Sequence, residues 1–112
     1  MKKTVSLKRN NDFKRLYYRG KTVKGQYFVS YFRPNNLGIN RLGLTVGQKH
    51  GNAVRRNRIK RRMSEAYRLN ELNFKKGYDI VLVARVKAQF ADFSQLMSDL
   101  YDIFCSMGLC EL

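Results

Sequence analysis

The sequence has few of the residues on which protein catalysts and metal sites depend. It contains one histidine, His50, and eight Asp or Glu residues that are scattered without metal-ligand spacing. Acid–base catalysis of RNA or DNA cleavage needs a positioned pair of such groups, and metal-assisted cleavage needs a carboxylate cluster. A Gly-rich phosphate loop, a nucleophile elbow and a zinc pattern are also missing. We therefore expect no catalytic residues and no metal ligands, and we expect a protein whose role is to bind a partner.

Long apolar runs and cysteines are scarce as well. No run approaches the length of a membrane span, and the basic start, residues 2–9, is not followed by the apolar core of a signal peptide. We expect a cytoplasmic protein that does not engage a membrane. The two cysteines, Cys105 and Cys110, have no His or third Cys beside them. We interpret them as reduced helix residues and not as a disulfide or a metal pair.

Positive charge, in contrast, is abundant. The 112 residues include 23 Lys or Arg, which gives a formal net charge of +15 and a pI near 10.3. All 23 lie in residues 1–87 with four acids, whereas residues 88–112 contain the other four acids and no base. This surplus favours a polyanionic partner, through phosphate neutralisation and counterion release. Length and a hydrophobic content of 44% predict one folded domain over residues 1–112.

The densest charge forms a basic helix. Between Lys49 and Arg62 there are seven Lys or Arg and no acid, and Gly51 followed by Asn52 is typical of a helix start. On a helical wheel one side is apolar, with Ile59, Met63 and Ala66, and the far side is polar, with Asn57, Lys60, Arg61, Ser64 and Arg68. Cations at a helix N-terminus oppose the macrodipole unless an anion lies opposite. The pattern predicts a helix from about residue 52 to residue 69 that binds phosphates.

Helical spacing predicts two further helices. The first starts at Asn10 or Asn11 and ends at Gly20, with Phe13, Leu16 and Tyr17 on one face. The last starts at Asp92, which forms a capping-box pair with Gln95, and its apolar stripe is interpreted as core. Residues 1–9, which precede the first helix, are expected to be mobile when unbound.

Three segments have the pattern of strands. Residues 27–33 alternate, with Val29 and Tyr31 on one face and Phe28 and Phe32 on the other. Residues 41–47 are predicted to pair with them as an antiparallel hairpin, and the apolar run 80–84 is suited to a buried position. The order predicts an α+β fold, an α/β sandwich with one small mixed sheet packed with three helices.

The basic helix resembles the signature of the bacterial ribonuclease P protein subunit. The likeness is carried by Asn52, Ala53 and Val54, by the run Arg56-Asn57-Arg58-Ile59-Lys60-Arg61-Arg62, and by Glu65-Ala66-Tyr67-Arg68. It extends to Asp12, Phe13, Tyr17 and Gly20 before the helix, to residues 41–44, and to residues 79–81 and 84–85 after it. The resemblance implies the fold of one domain of a small-subunit ribosomal protein, with a left-handed βαβ crossover at the basic helix.

The same resemblance implies a function and two sets of binding residues. In that family a large RNA hydrolyses precursor tRNA to remove the 5′ leader, and the protein holds RNA and substrate together. The partners implied are ribonuclease P RNA and precursor tRNA, with Mg²⁺ bound in the holoenzyme through the RNA and no cofactor bound by the protein alone; a weak homodimer stays open. The ribozyme set is Lys49, Asn52, Arg55, Arg56, Asn57, Arg58, Lys60, Arg61, Arg62 and Arg68. The leader set is Phe13, Tyr17, Val29 and Tyr31.

The sequence departs from the family pattern at a few positions, and other functions are compatible with a basic helix. Gln48 stands where the family usually has Lys, and His50 replaces an apolar residue; we interpret His50 as an RNA contact or a half-exposed loop residue. Tyr17 and Tyr67 stand where Phe is common. The alternatives are a ribosomal protein or general RNA chaperone, and a helical DNA binder. The short basic tail argues against a ribosomal protein, and the aromatic strand face favours single-stranded RNA over DNA.

Overall fold

A computed structural model describes residues 4–110, which form one five-stranded sheet and three helices. The strands are β1 (Thr4–Ser6), β2 (Lys21–Lys24), β3 (Phe28–Pro34), β4 (Asn40–Thr45) and β5 (Tyr78–Ala84). The helices are α1 (Asn10–Arg19), α2 (Ala53–Asn70) and α3 (Phe93–Ser106), and 3₁₀ turns cover Gln48–His50, Glu71–Asn73 and Val86–Phe90. The predicted α+β architecture, a mixed sheet with three helices, is confirmed.

The strand order is β1-β4-β5-β3-β2, so the predicted hairpin between β3 and β4 is wrong. Strand β5 lies between them, antiparallel to β3 and parallel to β4. A strand that is apolar on both faces is most stable in the centre of a sheet, where neighbours on both edges pair its backbone. Helix α2 therefore connects two adjacent parallel strands as a βαβ unit, and the left hand of that crossover stays an expectation from the resemblance.

The two faces of the sheet are covered unequally. Alternate residues of β5, Ile80 and Leu82, belong to the main core with α2 and α3, and Phe28 and Phe32 of β3 point the same way. The opposite face contacts α1 through a smaller cluster centred on Leu7, Leu16 and Val81. Both β3 faces were predicted correctly from the alternation of residue types. The α1 face is only partly covered, which leaves space for a ligand.

Helix α2 packs as predicted and also carries a buried tyrosine. Ile59, Met63 and Ala66 are buried, and so is Tyr67. The Tyr67 hydroxyl is hydrogen-bonded to Thr4 Oγ1 at 2.8 Å and accepts from Asn40 Nδ2 at 3.1 Å. Burial raises the pKa of Tyr67 above its ordinary value, although these two hydrogen bonds oppose the shift. The hydroxyl thus joins α2 to two neighbouring strands.

Strand β1 corrects the prediction of a mobile lead-in. Thr4 to Ser6 pair in parallel with residues 40–42 of β4, and Thr4 Oγ1 also donates to Glu71. The Leu7 side chain is buried beneath α1. Polar residues on an edge strand give little periodic signal, and the pairing was therefore not predicted. Residues 1–3 of the predicted lead-in lie outside the described residues.

Helix α3 closes the main core and fixes the β2–β3 turn. Its predicted start is confirmed, because the Asp92 backbone N–H donates to Gln95 Oε1 at 2.9 Å. One turn further on, the buried Asp99 carboxylate accepts from the backbone N–H groups of Gln26 and Tyr27, both at 2.9 Å. In the described part of the chain, no helix has the length and apolarity to cross a membrane.

The interpretation of the cysteines as reduced is wrong for this structure. Cys105 and Cys110 form a disulfide, with 4.8 Å between their Cα atoms. Helix α3 ends at Ser106, and Gly108 then adopts a left-handed φ of 76° that reverses the chain. The chain therefore returns to the last turn of the helix, and the backbone of Cys110 forms an isolated antiparallel β-bridge with Phe74. The prediction rested on the expected redox compartment, which carries no information about this reversal.

Candidate nucleic-acid interface

The entry to α2 is shaped by a glycine and an asparagine cap. Gly51 has a φ of 109°, a left-handed conformation that glycine adopts at little cost, and a Cβ there would lie 2.9 Å from Arg55 Cδ. Asn52 Oδ1 accepts the Arg55 backbone N–H at 3.0 Å, which confirms the predicted cap. The first turn contains no acid. The N-terminus of α2 is therefore an exposed and positively charged helix start, as an anion site requires.

The cations of the ribozyme set are not equivalent. Arg55, Arg58, Lys60 and Arg61 are exposed, as is Asn57, whereas Arg56 is half-buried. Exposed cations that no acid neutralises are the ones most readily used by phosphates. These side chains lie on α2 over about two turns, so the structure brings most of the predicted set together on one helix.

Besides the Asn52 cap, two cations of the set are engaged within the protein. Arg68 forms an ion pair with Glu65, the only ion pair on α2 within residues 4–110. The hydrogen bond between the two lowers the pKa of Glu65 and raises that of Arg68. Arg62 Nη2 donates to the Ala91 carbonyl at 2.5 Å and so ties α2 to the segment that precedes α3. Arg62 and Arg68 therefore hold other groups in place as well as contributing charge.

Lys49 lies apart from the helix cations. It is exposed in the 3₁₀ turn before α2 and borders a concavity of about 400 Å³ together with Val29, Arg85 and Lys87. Val29 belongs to the leader set, so this cation stands at one end of the α1 face. Arg85 and Lys87 were not predicted as site residues. They follow the strand that was predicted to be buried, but their proximity to Val29 depends on the pairing of β5 with β3, which was not predicted.

His50 is neither half-exposed nor available to RNA, which corrects the earlier interpretation. Its side chain is 1% exposed, and Nε2 lies 3.2 Å from the Ala84 carbonyl at the end of β5. Since a carbonyl oxygen only accepts, Nε2 carries the proton in this contact. The position is buried because the 3₁₀ turn folds back against the sheet. A buried position of this kind suits the apolar residue that the resemblance implied here.

The leader set brings three aromatic rings together on the α1 side of the sheet. The rings of Tyr17 and Tyr31 meet edge to face with centroids 4.9 Å apart, and the Tyr17 hydroxyl lies 3.4 Å from Thr45 Oγ1. Phe13 covers Gly43, where an added Cβ would lie 2.6 Å from Phe13 Cζ. We call the surface formed by Phe13, Tyr17, Val29 and Tyr31 the aromatic cleft. Helix α1 thus places two rings against β3 and β4 without covering the whole face.

The strand register defines the floor of the aromatic cleft. Val29 of β3 pairs with Val83 of β5, which pairs with Thr45 of β4, so these three form one row across the sheet. Val83 and Thr45 are half-buried and were not predicted as site residues. Parity along the strands could have placed them on this face. Their alignment could not be predicted, because it depends on the insertion of β5.

An internal ion pair borders the other end of the α1 face. Arg41 donates to both carboxylate oxygens of Asp79, from Nε at 2.7 Å and from Nη2 at 2.6 Å, and Asn35 Nδ2 donates to the same group at 2.9 Å. Burial acts to raise the pKa of Asp79, but the hydrogen bonds from Arg41 and Asn35 outweigh it and leave the pKa below its ordinary value. The charge of Arg41 is therefore used inside the protein.

The described surface is suited to binding a polyanion. It combines aromatic rings and a flat valine-lined floor with cations at one end and a basic helix beyond. Bases of a single strand stack on such rings, and cations follow its backbone. Among residues 4–110, no group of three or more His, Cys, Asp or Glu side chains is arranged to hold a metal ion.

Comparisons with known proteins agree with this geometry. The family model described as Ribonuclease P matches residues 1–107. The chain is 44% identical over 109 residues to the ribonuclease P protein component of Caldanaerobacter subterraneus subsp. tengcongensis, covering 97% of this chain and 94% of the relative. It is 39% identical over 108 residues to that of Clostridium botulinum strain Langeland, covering 96% and 97%.

Solved structures give the same result at the level of the fold. The RNase P protein of Staphylococcus aureus superposes with a TM-score of 0.85 at 32% identity, covering 95% of this chain and 97% of that one. The RNase P protein from Thermotoga maritima superposes with a TM-score of 0.82 at 35% identity, covering 88% and 94%. Both pairs share sequence and backbone over most of their length.

Proposed function

The chain belongs to the ribonuclease P protein family, and from this premise we propose that it is the protein subunit of a ribonuclease P, which binds the catalytic RNA and the single-stranded 5′ leader of precursor tRNA. In this role it assists the endonucleolytic removal of the leader. The catalyst is the partner RNA, with its Mg²⁺ ions, and the protein alone is inactive.

The observation that carries the proposal is the aromatic cleft with cations at one end. Tyr17 and Tyr31 present their rings beside the row of Val29, while Lys49 lies at the end of the same face. A leader strand that crosses this face stacks a base on the aromatic wall and meets a cation with its phosphate. Mature tRNA has no leader, so contacts in the cleft favour the precursor alone.

The ribozyme set gives the protein a second RNA contact. Exposed cations on α2, such as Lys60 and Arg61, lie at and beyond a helix start that is itself suited to phosphate. Helix α2 packs on the sheet face opposite to α1, so both surfaces can be occupied at once. A protein that binds two polyanions simultaneously offsets their mutual repulsion and raises the local concentration of substrate at the ribozyme.

Cleavage of labelled precursor tRNA at low Mg²⁺ tests the proposal. The reaction contains a bacterial ribonuclease P RNA with this protein, the RNA without it, or the protein without RNA. We expect the protein to stimulate cleavage by the RNA and to produce none by itself. If the protein does not stimulate cleavage but binds unrelated structured RNAs, a general RNA chaperone would be favoured. Cleavage by the protein alone would contradict the assignment of catalysis to the RNA.

Tyr31→Ala tests the aromatic cleft. Loss of one stacked base costs about 1–3 kcal/mol, so the Kd of the holoenzyme for precursor tRNA should rise about 5- to 150-fold while the Kd for mature tRNA stays within about twofold. Tyr18→Ala is the matched control, because Tyr18 lies next to Tyr17 in α1 but is exposed to solvent and is not part of the aromatic cleft. Equal losses for precursor and mature tRNA, measured by filter binding, would refute a leader site here.

A further inference from the structure

Arg55, Arg58 and Arg62 form an arginine face of helix α2, beside the packing stripe and on the side opposite to Lys60. With Ile59 at zero on the wheel, Arg55, Arg58 and Arg62 fall between roughly −40° and −100°, whereas Lys60 and Arg61 fall between roughly 100° and 200°. The packing stripe separates these arginines from Lys60 on one side of the helix, and on the other side Arg58 and Arg61 adjoin. The arginine face points towards the 3₁₀ turn Val86–Phe90, since Arg62 donates to the carbonyl of Ala91 directly after that turn.

A groove lies between this face and the turn. We call it the Phe90 groove; it has a volume of about 340 Å³ and is lined by Arg55, Arg58, Ile59, Arg62, Gln89 and Phe90. The volume lies within the range of about 300–1,000 Å³ usual for small-molecule sites. A second concavity next to it shares Arg58 and Arg62 and is also lined by Arg61, Glu65 and Phe93. The groove therefore continues along α2 and is not a closed pocket.

Phe90 is an exposed aromatic residue on a well-anchored backbone. Its side chain is 81% exposed, yet Ala88 and Ala91 on either side are buried. The hydrogen bond from Arg62 to Ala91 fixes the adjacent backbone to α2. A phenyl ring held in water beside guanidinium groups is well placed to stack on a planar partner, and the guanidinium groups favour an anionic one.

We propose that the Phe90 groove binds an unpaired nucleotide of the ribonuclease P RNA, with the base stacked on the Phe90 ring and the flanking phosphates bound by Arg55 and Arg58. The inference rests on the proposed function and adds a site to it. Three arginines line the groove, so its charge complements a nucleic acid. The groove lies with α2, on the sheet face opposite to the aromatic cleft, and this separation favours the catalytic RNA over the leader as the source of the nucleotide.

Substitution of Phe90 tests the stacking contact. Phe90→Ala should raise the Kd for the ribonuclease P RNA at least about fivefold, the lower limit for loss of one stacked base, and Phe90→Trp should restore wild-type affinity or improve it. Leu72→Ala is the matched control, because Leu72 is an apolar side chain of similar exposure, 83%, in another 3₁₀ turn. A Phe90→Ala variant that binds as tightly as the Leu72→Ala variant overturns the proposal.

Salt dependence separates stacking from charge. Phe90→Ala removes no charge and should leave the slope of log Kd against log salt unchanged. Arg55→Ala should make that slope shallower by about 0.7, the value for one phosphate contact with a single strand. A Phe90→Ala variant whose loss of affinity disappears at high salt would contradict a stacking role.

A photoreactive phenylalanine analogue at position 90 identifies the source of the nucleotide. In the assembled holoenzyme with precursor tRNA, we expect crosslinks to one unpaired position of the ribonuclease P RNA. Crosslinks to the precursor, or to a second copy of the protein, overturn the assignment.

The wild-type protein, tested for RNA binding and for stimulation of cleavage, separates the two proposals. If it neither binds nor stimulates the RNA, the proposed function is wrong. If it does both and only the effects at position 90 are missing, the nucleotide site in the Phe90 groove alone is wrong.

Discussion

Replacement of Gly43 by Ala should push the ring of Phe13 from its position over the sheet. A Cβ at residue 43 would lie 2.6 Å from Phe13 Cζ and 2.8 Å from Cε1, and carbon atoms in contact normally stay at about 3.5–4.0 Å. The ring must therefore move by about 1 Å or the strand must shift. Overpacking of this kind typically costs about 1–3 kcal/mol of folding free energy. Because Phe13 belongs to the aromatic cleft, the Kd for precursor tRNA should rise as well.

A double-mutant cycle identifies the cause. In a Phe13→Ala background the clash is gone, and Gly43→Ala should cost less than about 0.5 kcal/mol, so that the coupling between the two sites accounts for most of the effect. Urea unfolding followed by circular dichroism measures each variant, since the chain has no Trp to report by fluorescence.

Gly47→Ala is the matched control for Gly43→Ala. Gly47 has an ordinary φ of −72°, and a Cβ there would meet no atom within 4 Å. This substitution should be neutral or stabilise by about 0.4–1 kcal/mol, through the smaller entropy of the unfolded chain. If Gly43→Ala costs no more than Gly47→Ala, or costs the same with and without the Phe13 ring, the close packing of Phe13 on β4 is refuted.

Two further predictions concern the groups that hold the site in place. The pKa of Asp79 is lower in the folded protein, so its ionised form contributes stability above the ordinary carboxyl pKa of about 4, and this contribution is lost as the pH falls through the folded value. Arg41→Ala should therefore destabilise the protein at pH 7, and the difference in urea midpoint between this variant and the wild type should become smaller at pH 3. Tyr67→Phe, which removes the hydroxyl bonded to Thr4 and Asn40, should lower the free energy of unfolding by about 0.5–3 kcal/mol, and an unchanged urea midpoint would contradict the role of that hydroxyl.

Local patterns predicted the elements that bury an apolar face. The stripe of α2 and the alternation of β3 follow from helical and strand periodicity, and both are present as predicted. The aromatic cleft follows in part, because the parity of β3 places Val29 and Tyr31 on one face. The cap at Asn52 was readable because it depends on residues within one turn.

Pairing between distant strands was not predictable from these patterns. Neighbouring strands in sequence often pair, which favoured the hairpin of β3 and β4, but the double-sided apolar character of β5 decides the arrangement. Strand β2 lies at an edge with mostly exposed polar residues, so it lacks an alternating signal. The burial of His50 and the Cys105–Cys110 disulfide likewise depend on how turns fold back after the main elements have formed.

The central position of β5 also determines when the sheet can form during synthesis. Until Tyr78–Ala84 has left the ribosome, β2 pairs only with β3 and β1 only with β4, and the two pairs share no strand. A nascent chain at that stage has α2 without the core that it packs against. Burial of the core is favourable only after the distant strands have paired, so the sheet cannot be completed until about three-quarters of the chain has been synthesised. The basic helix therefore leaves the ribosome before the central strand, while it is still unsupported by its own complete sheet.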